Sequence, residues 1–189
     1  MTNADRIAQK YQSLGTARRY EATRTKKPAW QREQRVVADF LAAHQVPTCL
    51  DVPVGTGRFF DLYAKHSISV TGLDISPAML EQAAETAAKL GLHAELPRGS
   101  IFDLPFPDRS FDVVICWRLL NWLSPSELER ALSEAARVSD KWVLVSVRHR
   151  LPTMRSWAAE QKRRLRRATG GYASPPLSWR VTDAGVSMT

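Results

Sequence analysis

Two acids, two glycines and the spacing between them are the part of this sequence best suited to chemistry. Leu50-Asp51-Val52-Pro53-Val54-Gly55-Thr56-Gly57-Arg58 is a short apolar run that ends in an acid and passes into a glycine turn. Val70-Thr71-Gly72-Leu73-Asp74 ends in a second acid, 23 residues after the first. Gly55 and Gly57 lack a Cβ, so their turn can take unusual φ values and let a ligand approach the backbone. The helix expected after the turn presents free N–H groups to the same space. Asp74, at the end of a second strand, is placed to accept hydrogen bonds from a ribose diol. Together these features suit a nucleoside-containing ligand lying over the carboxyl ends of two parallel strands. The plainer reading is two turn glycines and two strand-end aspartates without a ligand. Either acid alone would favour it; the ordered pair weighs against it.

Other chemistries find less support. A dinucleotide fingerprint needs a third glycine, and counting from Gly55 and Gly57 that position is Phe60. Asp51 is not part of that fingerprint either. No Cys/His cluster has metal-ligand spacing. Cys49 and Cys116 lie in apolar, strand-like runs and read as buried thiols rather than a disulfide framework. For a general base, His149 lies just beyond the last expected strand, while His44, His66 and His93 sit beside helix or loop ends. Arg118 falls at the end of a buried strand and needs a partner: a cofactor carboxylate, an anionic acceptor, or Asp112. Trp117, Trp122 and Trp157 could line an apolar acceptor pocket, although tryptophans in such elements are more often core.

The elements that must position these residues follow from periodicity. Gln31 to His44 reads as a helix with Val36, Val37, Phe40 and Leu41 on one face, broken by Pro47. Strands are expected at Cys49–Val52, Ile68–Leu73, His93–Leu96, Phe111–Trp117 and Trp142–Val147. A helix is expected over Thr56–Lys65. Ser76-Pro77 opens another, with serine as N-cap and proline at the first helical position, and Gly91 ends it. Ser124-Pro125-Ser126-Glu127 is a capping box that starts a helix running to about Val138. Strand and helix alternate, and the strands are short Val/Ile/Leu runs. That predicts an α/β, Rossmann-like, doubly wound and mostly parallel sheet of about five strands with flanking helices. The organisation expected is a helical N-terminal lead over 1–30, a core over 31–147, and a basic helix and tail over 148–189.

A chain of 189 residues, 44% hydrophobic and 24% charged, suits one soluble globular domain with a real core. No apolar run approaches the roughly 20 residues that span a bilayer, and the polar N-terminus has no signal core, so a cytoplasmic location is expected. The net charge of +8 is concentrated: Arg148, Arg150, Arg155, Lys162, Arg163, Arg164, Arg166 and Arg167 are opposed only by Glu160. Such a helix can contact nucleic acid or another anionic surface, or simply present a solvated face.

In these residues the chain resembles the class I S-adenosylmethionine-dependent methyltransferases. Asp51 to Gly57 is similar to their first motif, and Val70 to Leu80 to their second. Gly99-Ser100-Ile101-Phe102-Asp103-Leu104-Pro105-Phe106-Pro107-Asp108-Arg109-Ser110-Phe111-Asp112 is similar to their third and fourth, in the form typical of the small-molecule branch that includes ubiquinone-biosynthesis enzymes. The resemblance covers about residues 15 to 147. It implies that S-adenosylmethionine is the methyl donor and S-adenosylhomocysteine the product. It implies that Gly55 and Gly57 pass under the methionine part and that Asp51 helps hold its amino group. Asp74 would take the ribose hydroxyls, with Ile75 and Met79 flanking the adenine and Ile101 and Phe102 covering its other side. Cys116, Trp117 and Arg118 would face the methionine end and the acceptor. Tyr20 and Arg24 would be lid residues.

Three departures stand out. Pro53 replaces the usual first glycine and removes a backbone donor. Ser100 stands where an aspartate commonly meets the adenine amino group; its hydroxyl can accept a hydrogen bond, but without charge assistance. The family usually adds two antiparallel strands after the fifth, and the nine residues after Arg180 are expected to be too few for them. The last expected strand would then be an exposed sheet edge, with lower stability or a homodimer as the consequence. The function expected is methyl transfer to a small-molecule acceptor. The alternatives are an RNA methyltransferase docked by Arg148–Arg167 and a truncated, non-catalytic cofactor-binding or interaction protein.

Overall fold

The computed structural model describes residue 15 and residues 28–147, 180–182 and 185–187. The chain divides into two compact units, Met1–Arg148 and His149–Thr189. In the first, α1 (Pro28–Ala43) leads into β1 (Thr48–Asp51), α2 (Phe60–Lys65), β2 (Ser69–Gly72), α3 (Pro77–Leu90) and β3 (Ala94–Glu95). Then come β4 (Phe111–Cys116), a 3₁₀ turn (Leu120–Trp122), α4 (Pro125–Val138) and β5 (Ser139–Val145). The strands form one sheet in the order β3-β2-β1-β4-β5, every pair parallel. From β1 the chain winds outward to one edge, then returns to the other side of β1. The place where a doubly wound sheet receives a ligand is therefore at the carboxyl ends of β1 and its neighbours β2 and β4.

The expected pattern of alternation explains the two-sided core. Cys49, Val70, Val113 and Ile115 point into an apolar cluster with Val37 and Leu41 of α1, Phe60 and Tyr63 of α2, and Ala83 and Ala87 of α3. Their neighbours Leu50, Val114 and Cys116 point the other way, against Ala131, Ala135 and Val138 of α4 and against Leu104 and Phe111. Successive residues of a strand face opposite sides, so a sheet covered on both faces needs apolar residues throughout.

Local capping signals hold where they were read. Ser76 Oγ accepts from the Met79 N–H, Pro77 opens α3, and Gly91 closes it in the left-handed conformation at φ 62°. Ser124 and Glu127 form a reciprocal capping box at the start of α4. Three boundaries differ from expectation by three residues or more, and the first is α1, which begins at Pro28 rather than Gln31. The helix after the glycine turn begins at Phe60, not Thr56, because residues 56–59 complete the turn with Gly57 N–H bonded to Val54 O and Phe60 N–H to Gly57 O. The fifth strand begins at Ser139, three residues early; an irregularity in its pairing with β4, between Phe111 and Val113, carries the polar Asp140 and Lys141. Among the described residues β5 pairs on one side only, with β4.

In the second unit, β6 (Arg180–Thr182) pairs antiparallel with β7 (Gly185–Ser187). The last residues thus form a short two-stranded ladder, where too few residues for a hairpin were expected. Among the described residues no helix is long and apolar enough to cross a membrane. Tyr20, Arg24, His149, Trp157 and the basic stretch Arg148–Arg167 lie outside the described residues.

Candidate functional site

Asp51 ends β1 and points to the same side of the sheet as Cys49, into the packed interior between β1 and α2. It is 2% exposed. The hydroxyl of Tyr63, from α2, donates to its Oδ2 at 2.9 Å. Burial pushes the Asp51 carboxyl up to about 7; the Tyr63 hydrogen bond and the field of Arg58 pull it down, and Asp74 pushes it up. A carboxylate in this setting gains most from a cation brought beside it.

Asp74 follows β2 and is also buried, at 6% exposure. The Gly55 N–H donates to its Oδ2 at 3.0 Å and the Ser76 N–H to its Oδ1 at 2.9 Å. Burial raises its pKa, opposed by the backbone donors of Ser76, Gly55 and Ile75. These backbone donors come from the loops around it, and a carboxylate has about four acceptor sites, so acceptor capacity remains on Asp74.

The turn between the acids is shaped by its glycines. Gly55 and Gly57 have φ values of 57° and 81°, which L-residues rarely adopt. A Cβ on Gly57 would stand 2.5 Å from Cδ2 of Phe60. Phe60, too bulky for the third glycine of a dinucleotide fingerprint, is the reason the second glycine has to be a glycine. Pro53 is stepped over by two bonds to the neighbouring strands, Val52 N–H to Ile115 O and Val54 N–H to Leu73 O, at 2.9 and 3.0 Å. Its missing donor therefore leaves the turn anchored on both sides.

The segments expected to flank an adenine are neighbours. The Gly99 N–H donates to the Asp74 carbonyl at 3.1 Å, and Arg98 Nε to the Ile75 carbonyl at 3.2 Å. This brings Ile75, which is exposed, close to the segment that leads into Ser100; Met79, in the first turn of α3, is buried. Ser100 Oγ already accepts from the Phe102 N–H at 3.3 Å.

The end of β4 differs from expectation. Cys116 is fully buried in the apolar cluster under α4, and its carbonyl is taken by the Ser146 N–H. Burial holds both thiols far above the ordinary range, which makes them packing groups rather than nucleophiles. The Trp117 indole N–H donates to Glu33 of α1. Arg118 is not paired with Asp112, which lies at the other end of β4 and binds Thr48 and Lys141. Arg118 forms a two-pronged pair with Glu33, Nε to Oε2 at 2.9 Å and Nη2 to Oε1 at 3.0 Å. Trp122 is half exposed.

Three residues of this region escaped the sequence reading: Glu33, Arg58 and Tyr63. Arg58 Nη1 donates to Glu33 Oε2 at 2.6 Å, and its guanidinium lies 3.7 Å over the Trp30 ring. The spacing Trp30, Glu33, Gln34, Val37 places one helix face over the turn, and that was the available signal. Among the described residues no group of His, Cys, Asp and Glu could hold a metal.

Residues 49–141 match the family model of a methyltransferase domain. The chain is 42% identical over 94 residues to a phosphatidylethanolamine N-methyltransferase of Cereibacter sphaeroides, covering 49% of this chain and 45% of that one. It is 36% identical over 110 residues to a demethylmenaquinone methyltransferase of Tropheryma whipplei, covering 58% and 43%. The chain thus spans less than half the length of these curated relatives. In fold it is similar to the magnesium protoporphyrin IX methyltransferase of Synechocystis, solved with bound S-adenosylhomocysteine, at a TM-score of 0.67 and 18% identity over 85% of this chain and 78% of that one. Sheet order, glycine turn and the matched domain together define a Rossmann-like methyltransferase core. Residues 49–141 thus form a methyltransferase domain of the class I, Rossmann-like kind.

Proposed function

We propose that this chain binds S-adenosylmethionine between Asp51 and Asp74 and transfers its methyl group to a small-molecule acceptor. The observation that carries this reading is the pair of buried carboxylates on adjacent strand ends, bracketing a turn that favours glycine through positive φ at Gly55 and Gly57 and through Phe60 at Gly57. Asp51 offers a buried negative charge for the amino group of the donor. Asp74, oriented by Gly55 and Ser76, offers two oxygens for the ribose diol. Ile75, Met79, Ile101 and Phe102 supply the apolar walls for a flat ring, and the Ser100 hydroxyl one neutral acceptor.

The bound donor supplies an electrophilic methyl on a sulfonium, which an acceptor lone pair displaces in line. The chain's own part is alignment and exclusion of water. A general base is needed only for an acceptor that must lose a proton, and the described residues bring none of the expected histidines into the site. The phosphatidylethanolamine and demethylmenaquinone relatives support a small acceptor of lipid or quinone character. The expectation of RNA as acceptor rests on Arg148–Arg167 alone, which the relatives do not favour.

Transfer of tritium from [methyl-³H]S-adenosylmethionine to extractable lipid and quinol acceptors tests the reading. Label entering an organic-soluble product, and none with Asp74→Ala, is expected. Label entering only RNA, or no label from a chain that binds the donor, would contradict it.

A further inference from the structure

Helix α1 contributes neither acid of the site, yet it is tied to both loops that flank them. Glu33 Oε2 accepts from Arg58 Nη1 at 2.6 Å, Arg118 Nε at 2.9 Å and Trp117 Nε1 at 3.2 Å, while Oε1 accepts from Arg118 Nη2 at 3.0 Å. Arg58 directly follows the Gly55–Gly57 turn, and Arg118 lies just beyond β4, 85 residues from Glu33. One carboxylate therefore joins the two chain segments between which the methionine end of the donor would lie.

Further contacts buttress the join. The Arg58 guanidinium stacks 3.7 Å over the Trp30 ring and donates to the Trp30 carbonyl at 3.0 Å. Gln34 Nε2 donates to the backbone carbonyl of Arg58 itself, at 3.3 Å, and to Asp61 at 3.0 Å. Trp117 packs edge-on against Phe59 at 5.6 Å. Arg118 has a φ of 64°, uncommon for a residue with a Cβ, and its N–H is held by Ser146 Oγ. Such a conformation persists only when its surroundings over-determine it. A planar fork on a carboxylate fixes direction as well as distance.

We propose that Glu33 is a positioning residue for the donor site, holding the glycine turn and the end of β4 in register through Arg58 and Arg118, so that donor binding is coupled to α1 through these ion pairs rather than through its apolar packing. This rests on the cofactor reading above. Coupling of this kind is reciprocal: the intact ion pairs tighten the donor, and the donor protects α1 through them.

The test compares Glu33→Gln with Val37→Ala. The Gln variant keeps the shape of the side chain and loses its charge. Val37, fully buried in the same helix, is a member of none of the ion pairs; its truncation measures the effect of merely loosening the apolar packing of α1. S-adenosylhomocysteine is titrated calorimetrically, and hydrogen exchange of the α1 amides is followed with and without it. Glu33→Gln is expected to weaken binding about tenfold and abolish the ligand-induced protection of α1. Val37→Ala at an equal or larger loss of Tm is expected to bind within about threefold of the parent chain. Should Glu33→Gln not fold, Arg118→Gln breaks the fork alone and is expected to weaken binding about fivefold. Two results overturn the proposal: equal weakening by Glu33→Gln and Val37→Ala, or unchanged affinity in a folded Glu33→Gln. Failure of the parent chain itself to bind would instead overturn the cofactor reading on which the proposal rests.

Discussion

Two carboxylates on either side of the same glycine turn are treated in opposite ways. Asp51 is enclosed with a phenol as its hydrogen-bond partner, and burial pushes it up to about 7. Burial also acts against Glu33, but hydrogen bonds from Arg118, Arg58 and Trp117 overcome it and hold the group down at about 2. Glu33 is ionised in the folded chain at any physiological pH, and its charge is spent on structure. Asp51 is only partly ionised near neutrality and gains from a cation the fold does not place against it. The contrast separates a residue that builds the site from one that waits for a ligand.

The sign of each shift gives a different dependence on pH. The folded chain keeps a proton on Asp51 between its ordinary value of 3.8 and about 7, where the unfolded chain has lost it. That contribution to stability is present below about pH 4, fades as pH rises to about 7, and is then flat. Glu33 runs the other way: its contribution is present above 4.5 and is lost as pH falls toward 2. A cationic ligand beside Asp51 reverses the first sign for binding, so affinity should rise as pH passes through 7, with release of a proton.

The largest effect that would break the comparison lies outside it, at Asp74. Asp74→Ala removes the ribose acceptor and orphans the half-buried Gly55 and buried Ser76 donors; S-adenosylhomocysteine affinity should fall about 100-fold or more. A loss under tenfold would mean that the ribose is held elsewhere. Asp51→Asn should weaken binding about 10- to 30-fold at pH 8 and flatten both the pH dependence of affinity and the decline of stability between pH 4 and 7. Persistence of either slope would assign it to another group. Tyr63→Phe removes a donor that stabilises the ionised Asp51. The affinity profile should move to higher pH, with about threefold weaker binding at pH 7 and a stability cost of about 1–2 kcal/mol; an unmoved midpoint in the calorimetric pH series would contradict this. The smallest change sharpens the picture: Ser100→Asp restores a charged acceptor and should tighten binding about threefold. Equal affinity would show that the adenine amino group does not reach residue 100.

Much of the fold was legible because its signals are local. Ser76-Pro77 and Gly91 bracket α3, and Ser124 with Glu127 starts α4, each through a hydrogen bond within a few residues. The strands were readable because a sheet packed on both faces must be apolar throughout. The start of β5 was hidden by Asp140 and Lys141, whose polarity reflects an irregular and exposed stretch of strand. Asp51, Gly55, Gly57 and Asp74 announce themselves by order and spacing. The partner of Arg118 does not: Glu33 is 85 residues away, and its place on the Trp30–Gln34–Val37 face of α1 does not say which groups it will bind. Tyr63 reads as an apolar helix residue and reveals its hydroxyl only when α2 packs on β1.

The most direct test is calorimetric titration of S-adenosylhomocysteine into the parent chain from about pH 6 to about pH 8.5, in two buffers of different ionisation enthalpy. The account predicts micromolar binding that tightens through pH 7, releases a fraction of a proton below it, and is lost in Asp74→Ala. A folded chain that binds nothing, or binds with neither pH dependence nor proton release, would contradict the claim that Asp51 and Asp74 form a donor site.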